Sequence, residues 1–311
     1  CAIAEELISR GEEVIFVGET KDLPWVHQRV NGWGFSKIYD LESDFAPNPV
    51  SDVLIVDSYG LDPESHFFNL SNWRKIVAIV DEATPKYRAH LYIHPGARIS
   101  WQPPAMADDF LFLSGFEFIP IRKSIQEFSS INRRAANNSP TILISGGGSD
   151  SLNFCGAMAK ILTELPDEFT ATFFSEQSGN LSYDHRFIFV PIGSRIEDYL
   201  ADADLIFTTA GTSSWEFLAC GLPLGIALGF ENQATNYLYQ TQSGIALGLG
   251  SWTNHQEWEL REYLIEELTR DMNSRVELSK RARNIVDGKG SERIVASIIE
   301  PSTIGNQKPP S

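Results

Sequence analysis

The residues best suited to chemistry lie between Phe207 and Gln233, in the run FTTAGTSSWEFLACGLPLGIALGFENQ. The order of residue types predicts a strand, a small-residue turn, a short helix, a strand opened by a proline, and a second helix starting at Glu231-Asn232-Gln233. That layout sets two helix N-termini and one inward carboxylate, Glu216, around one crevice. Free backbone N–H groups at a helix start suit a pyrophosphate, and a carboxylate one turn further on suits a ribose diol. Gly211, Thr212 and Ser213 stand where the first of these helices begins. For Glu216 the plainer alternative is an acid stabilised by the helix dipole. For Asn232 and Gln233 it is a solvated helix cap.

A second loop of similar chemistry lies about sixty residues upstream. Gly146-Gly147-Gly148-Ser149-Asp150 follows an apolar run and precedes a helical pattern. Glycines there allow close backbone approach to a ligand, and the helix dipole favours an anion. The loop lacks the Gly-Lys-Ser/Thr of a P-loop and the spacing of GxGxxG. It reads equally as a tight strand-to-helix turn capped by Asp150 or Ser151.

Other reactive residues carry weaker signals. His90 and His94 are four apart in HLYIHP, which reads as a strand end rather than a helical zinc motif, so no metal site is expected. Asp57 and Asp81 end consecutive strand candidates, where catalytic groups often sit in alternating folds; each could equally cap a following helix. Cys155 and Cys220 have apolar neighbours on helical segments and read as core.

Composition narrows the partners. With 25 basic and 41 acidic residues the formal charge is −16. That disfavours nucleic acid and anionic membrane, both of which attract basic surfaces. An anionic ligand's phosphates are then expected to be held by amides and hydroxyls rather than by a lysine cluster. Three cysteines without metal or redox spacing fit a reducing cytoplasm. No apolar run reaches membrane-spanning length, and no signal peptide is evident.

At 311 residues, 42% of them hydrophobic, the chain is expected to form about two domains. It opens in a helix, CAIAEELISR, that stops at Gly11 before a strand over Val14–Val17. An alternating fold should place a strand and loop before that helix, so the chain reads as N-terminally truncated. Continuous apolar runs predict further strands at Val53–Val56, Ile76–Val80, Phe110–Leu113, Thr141–Ser145, Thr170–Phe174, Phe187–Val190, Leu205–Thr208 and Leu224–Leu228. Helices are expected at about Leu152–Leu165, Glu257–Asp271 and Ser274–Asp287. The expected organisation is a first domain over 1–125, a polar linker over 126–139 closing on the loop signals Asn137-Asn138-Ser139 before Pro140, a second domain over 140–300 and a disordered tail over 301–311. The predicted fold class is α/β, with two doubly wound Rossmann-like domains facing a cleft and ligands at the carboxyl ends of the strands.

These motifs together resemble a known family. SGGGSD (Ser145–Asp150), TAGTSSWEFLACGLP (Thr209–Pro223) and ENQ (Glu231–Gln233) are similar to motifs of the nucleotide-sugar hydrolases that remove UDP from UDP-2,4-diacetamido-2,4,6-trideoxy-β-L-altropyranose in pseudaminic acid biosynthesis. DSYGLD (Asp57–Asp62), VDEA (Val80–Ala83) and GFEFIPIRKS (Gly115–Ser124) match more loosely. The family is related to the glycosyltransferase that forms lipid II and shares its two-domain GT-B fold. The resemblance implies that Glu216 binds the uridine ribose and that Gly146, Gly147, Gly148, Ser149, Gly211, Thr212 and Ser213 hold the pyrophosphate, with Gln233 beside them. It places Tyr59 and Asn232 near the reaction centre. It also implies a Gly-x-Gly-His-x-x-Arg loop ahead of the first helix, with the histidine as catalytic acid or base; that loop would end immediately before Cys1. No cofactor and no metal are implied. Three readings follow: a UDP-sugar hydrolase, a GT-B glycosyltransferase using a UDP-sugar donor, and a non-catalytic nucleotide-sugar-binding protein.

Overall fold

A strand covered on both faces must be apolar at successive positions, because both faces pack against helices. In the computed structural model the apolar runs form parallel sheets. The structure describes residues 2–18, 30–39, 46–58, 60–62, 64–81, 87–98, 110–129, 138–175, 184–254, 258–283 and 285–299. In the first half, β3 (Val53–Val56), β4 (Lys75–Ile79), β5 (Leu91–Pro95) and β6 (Leu111–Gly115) form a four-stranded sheet in that order, all parallel. The strands β1 (Ile15–Val17) and β2 (Lys37–Tyr39) pair in a separate parallel ribbon behind α1 (Ala2–Ser9).

The second half holds a six-stranded parallel sheet. Its strands are β7 (Thr141–Ser145), β8 (Thr170–Phe174), β9 (Phe187–Val190), β10 (Leu205–Thr209), β11 (Leu224–Leu228) and β12 (Leu247–Ser251), arranged β9-β8-β7-β10-β11-β12. Counted from β7 this is the 3-2-1-4-5-6 order of a doubly wound sheet. The direction of winding across the sheet reverses between the parallel neighbours β7 and β10, so a crevice opens at their carboxyl ends. Side chains alternate between two cores. Ile142, Ile144, Leu205 and Phe207 face one core, and Leu143 and Ile206 face the other. A fully buried Phe207 contributes about 1.5–3 kcal/mol of hydrophobic stabilisation.

Helices cover both faces of this sheet. One side carries α3 (Phe154–Glu164), whose buried Phe154, Met158, Ile161 and Leu162 recur at helical spacing. The other carries α5 (Thr212–Ala219). Between them lies the short α4 (Glu197–Leu200), and α6 (Ala234–Gln242) follows β11. Two late helices, α7 (Trp258–Arg270) and α8 (Met272–Ala282), are separated by Asp271. Its carboxylate accepts from Asn273 N at 2.8 Å and so starts the second of them.

Two features differ from the sequence reading. The polar segment expected to be a linker begins inside a helix, α2 (Lys123–Ser129), whose Ile125 is fully buried in the second-half core. The remaining linker residues 130–137 and the tail 301–311 lie outside the described residues. A further helix, α9 (Gly290–Ile299), returns to the first half. It packs Ile294 and Ile298 against Val77, Leu91 and Ile93 of the first sheet. The Lys75 ammonium, buried at the start of β4, donates to Ser297 O and Ile298 O at 3.0 Å each. Backbone carbonyls left open at a helix end attract a cation, so a lysine from the first sheet secures the last helix. No helix among the described residues is long and apolar enough to cross a membrane.

Candidate active site

The carboxyl ends of both sheets face one cleft of about 900 Å³. The second-half wall is built at the switch point. β7 runs into Gly146–Ser149, all four of which line the cleft. Gly147 has φ +93°, a conformation that a side chain disfavours. The capping reading of this loop is seen directly. Asp150 caps α3, its Oδ1 accepting from Phe154 N at 2.8 Å and from Cys155 N at 3.3 Å. Burial raises the Asp150 pKa, while those backbone N–H groups pull it down. The helix start is thus neutralised internally, which leaves the glycine loop itself to face the cleft. Asp150→Ala is expected to cost about 0.5–2 kcal/mol of stability, measured by urea denaturation, as for other helix caps.

β10 contributes Thr208 and Thr209, both buried, and then Gly211, Thr212 and Ser213 at the start of α5. The turn is fixed by Ser214, whose Oγ donates to Gly211 O at 2.7 Å and accepts from Gln240 Nε2 at 2.8 Å. After β11, Asn232 and Gln233 line the cleft on a single 3-10 turn, Glu231–Gln233. Gln233 Oε1 accepts from Gly229 N at 3.2 Å. A methyl group at Gly211 would lie 3.4 Å from Gln233 Nε2, so this side chain braces one loop against the other.

The first-half wall comes from the ends of β3, β4 and β5. Asp57, Ser58, Gly60, Leu61 and Asp62 follow β3, Val80 and Asp81 follow β4, and His94 and Pro95 end β5. His94 is 4% exposed, with Nδ1 3.4 Å from Ser114 Oγ. His90 is engaged in the sheet, its Nδ1 accepting from Ile76 N at 2.8 Å. No group of three or more His, Cys, Asp or Glu among the described residues could hold a metal ion. The described lining contains three aspartates, Asp57, Asp62 and Asp81, and no lysine or arginine.

Of the residues singled out in the sequence, Gly146, Gly147, Gly148, Ser149, Gly211, Thr212, Ser213, Asn232 and Gln233 come together on one wall. Tyr59 lies outside the described residues. Glu216 differs from its expected placement. It sits one helical turn behind Thr212, is 7% exposed, and is not part of the lining. Both its oxygens accept from Arg122, Oε1 from Nε and Oε2 from Nη2, each at 2.8 Å. Arg122 Nη1 also donates to Glu197 Oε1 at 2.8 Å, and Ser124 Oγ donates to the same oxygen at 2.9 Å. Burial works to lower the Arg122 pKa, but the hydrogen bonds and charge of Glu216, with Glu197 and Glu5, outweigh it and raise the pKa. The physical reason for the displacement is this partner, a guanidinium held between the halves, which periodicity along α5 does not reveal.

The sequence reading did not name Thr208, Thr209 or Asn236 as site residues and set His94 aside as a strand-end residue; all four line the cleft. The two threonines end an apolar run, a position where polar groups mark the mouth of a parallel strand. The halves meet beside them. Phe116 packs on Trp215 and Tyr239 with ring centroids 5.3 and 4.4 Å apart.

No protein-family model and no curated protein matches the sequence. Solved structures do match. Acinetobacter baumannii MurG aligns with a TM-score of 0.62 at 14% identity, covering 96% of this chain and 94% of that one. A glycosyltransferase from Rickettsia africae aligns at 0.59 and 11% identity, over 96% and 92%. MnaA of S. aureus, solved with UDP, aligns at 0.58 and 13% identity, over 96% and 91%. The likeness runs nearly end to end and agrees with the strand order and the shared cleft: this chain has the GT-B fold, two Rossmann-like α/β halves facing one another.

Proposed function

We propose that the protein acts on a UDP-sugar and transfers its glycosyl group to a hydroxyl acceptor. The observation that carries this reading is the pairing of two glycine- and hydroxyl-rich loops, Gly146–Ser149 and Gly211–Ser213, at the switch point of one sheet. Backbone amides and a helix start there would stabilise the pyrophosphate as it departs, in a setting already organised before reaction. Asn232, on the same wall, would face the sugar. Support comes from the fold neighbours, which include a glycosyltransferase and a protein solved with UDP.

Hydrolysis is the second reading, with water in place of the acceptor hydroxyl. The run of motifs SGGGSD, TAGTSSWEFLACGLP and ENQ favours it through their resemblance to the altropyranose hydrolases. Incubation with UDP-N-acetylglucosamine, and separately with UDP-2,4-diacetamido-2,4,6-trideoxy-β-L-altropyranose, distinguishes the two. Release of UDP only when a sugar or lipid acceptor is added is expected for transfer. Rapid release in buffer alone would replace it by hydrolysis. Calorimetry showing no UDP binding would overturn both. Asn232→Ala is expected to lower kcat more than it weakens UDP binding, because a contact to the sugar acts at the reacting centre.

A further inference from the structure

Among the titratable groups of the cleft, most already have work within the fold. Asp62 Oδ1 accepts from Glu64 N at 3.0 Å. His94 is buried beside Ser114. Asp57 is different. It is the first residue after β3, lines the cleft, is exposed to it, and has no hydrogen-bond partner among the described residues. Catalytic groups of doubly wound domains stand at such strand ends, and the glycine loops of the second half line the same cleft.

We propose that Asp57, rather than the histidine that the family resemblance implies, is the general base of the glycosyl transfer, an assignment that rests on the UDP-sugar reading above. The acceptor oxygen, of a hydroxyl group or of water, forms its bond to the anomeric carbon as the bond from that carbon to the phosphate oxygen breaks. The electron pair of the broken bond leaves with UDP. The acceptor's proton passes to a carboxylate oxygen of Asp57 and from there to solvent. No oxidant, metal or further reactant enters the balance.

The surroundings make Asp57 a stronger base than an ordinary aspartate. Enclosure by the cleft walls raises its pKa, and Asp81 at the end of β4 adds to this. Tyr87 also faces it. That phenol is pushed up to about 12, by burial first and then by Tyr92 and Asp57, so it stays neutral and does not compete as a base. Among the described residues, the remaining charged or titratable groups on this wall are Asp62 and His94.

The test is Asp57→Asn, which keeps the side chain's size, alongside Asp57→Glu, in the full chain. Both are assayed for UDP release from the two UDP-sugars named above, with acceptor present, and for UDP affinity by calorimetry. The asparagine variant is expected to lose about 100-fold or more in kcat, within the range for removing a general base. Its UDP affinity should stay within about twofold of the parent, the pattern of a contact made at the reacting centre. The parent's kcat/KM should fall at acid pH through a pKa above the usual carboxylate value. That limb should vanish in the asparagine variant and return with glutamate. Turnover by Asp57→Asn within about threefold of the parent, or a loss of UDP affinity as large as the loss of kcat, would overturn the assignment. So would a parent that binds UDP yet turns over neither sugar. A parent that binds no UDP would instead overturn the UDP-sugar reading itself.

Discussion

Replacing Arg122 by glutamine is expected to lower the melting temperature by on the order of 10 °C. The guanidinium is 14% exposed and bridges two carboxylates that are themselves 9% and 8% exposed. Removing it leaves both acids enclosed without their counter-charge. Breaking a buried pair in this way costs about 3–5 kcal/mol, and each kcal/mol shifts the midpoint by about 2–4 °C in a domain of this size. Lysine should rescue only part of the loss, because a point charge cannot reproduce two parallel N–H···O bonds to Glu216. Glu216→Gln should cost less, about 1–3 kcal/mol, because Arg122 keeps Glu197. Thermal unfolding followed by circular dichroism checks the order: glutamine at position 122 worst, then lysine, then Glu216→Gln. A glutamine variant melting within about 2 °C of the parent would show that water already screens the cluster.

Gly290→Ala is expected to release the last helix from the first sheet. A methyl group there would lie 1.9 Å from Ile119 O, 2.5 Å from Ile119 C and 2.7 Å from Ile119 N. These are backbone atoms and cannot swing aside, so the helix must move. Overpacking alone costs about 1–3 kcal/mol. Lifting the helix adds the exposure of Ile294 and Ile298, each worth about 1.5–3 kcal/mol when fully buried, and breaks the contact with Lys75. Better helix propensity returns only about 1 kcal/mol. The urea midpoint should therefore fall, and limited proteolysis should cut near the end of α9 faster than in the parent. A midpoint equal to or above the parent's would mean that the helix start absorbs the methyl group by a local shift.

The sequence made the strands legible because parallel strands covered on both faces leave an unbroken apolar run. Val53–Val56, Thr141–Ser145, Thr170–Phe174, Phe187–Val190 and Leu224–Leu228 stand where those runs stand. Where the run is diluted the signal fades. β12 reads LGLGS, and glycine at alternate positions hides it. The strand β5 contains His94, which stays inside the sheet by bonding within it. The end of α7 is written locally, since Asp271 caps the helix that follows.

The candidate site divides along the same line. Gly146–Ser149, Gly211–Ser213 and Asn232-Gln233 were legible because each combines small or polar residues with the end of an apolar run, a local pattern that chain connectivity places at a strand's carboxyl end. Three things lay beyond the sequence. The order β9-β8-β7-β10-β11-β12 brings two loops some sixty residues apart to one switch point, and pairing between strands is a choice among non-local partners. Arg122 meets Glu216 across 94 positions and takes the carboxylate that helical spacing alone would point at the cleft. The last helix crosses back because an apolar face has to be covered, and the first sheet offers Val77, Leu91 and Ile93 to cover it. Local residue patterns determined the strands and the chemistry of the loops; the tertiary structure decided which of them meet, because burial and charge pairing are satisfied only between segments far apart in the chain.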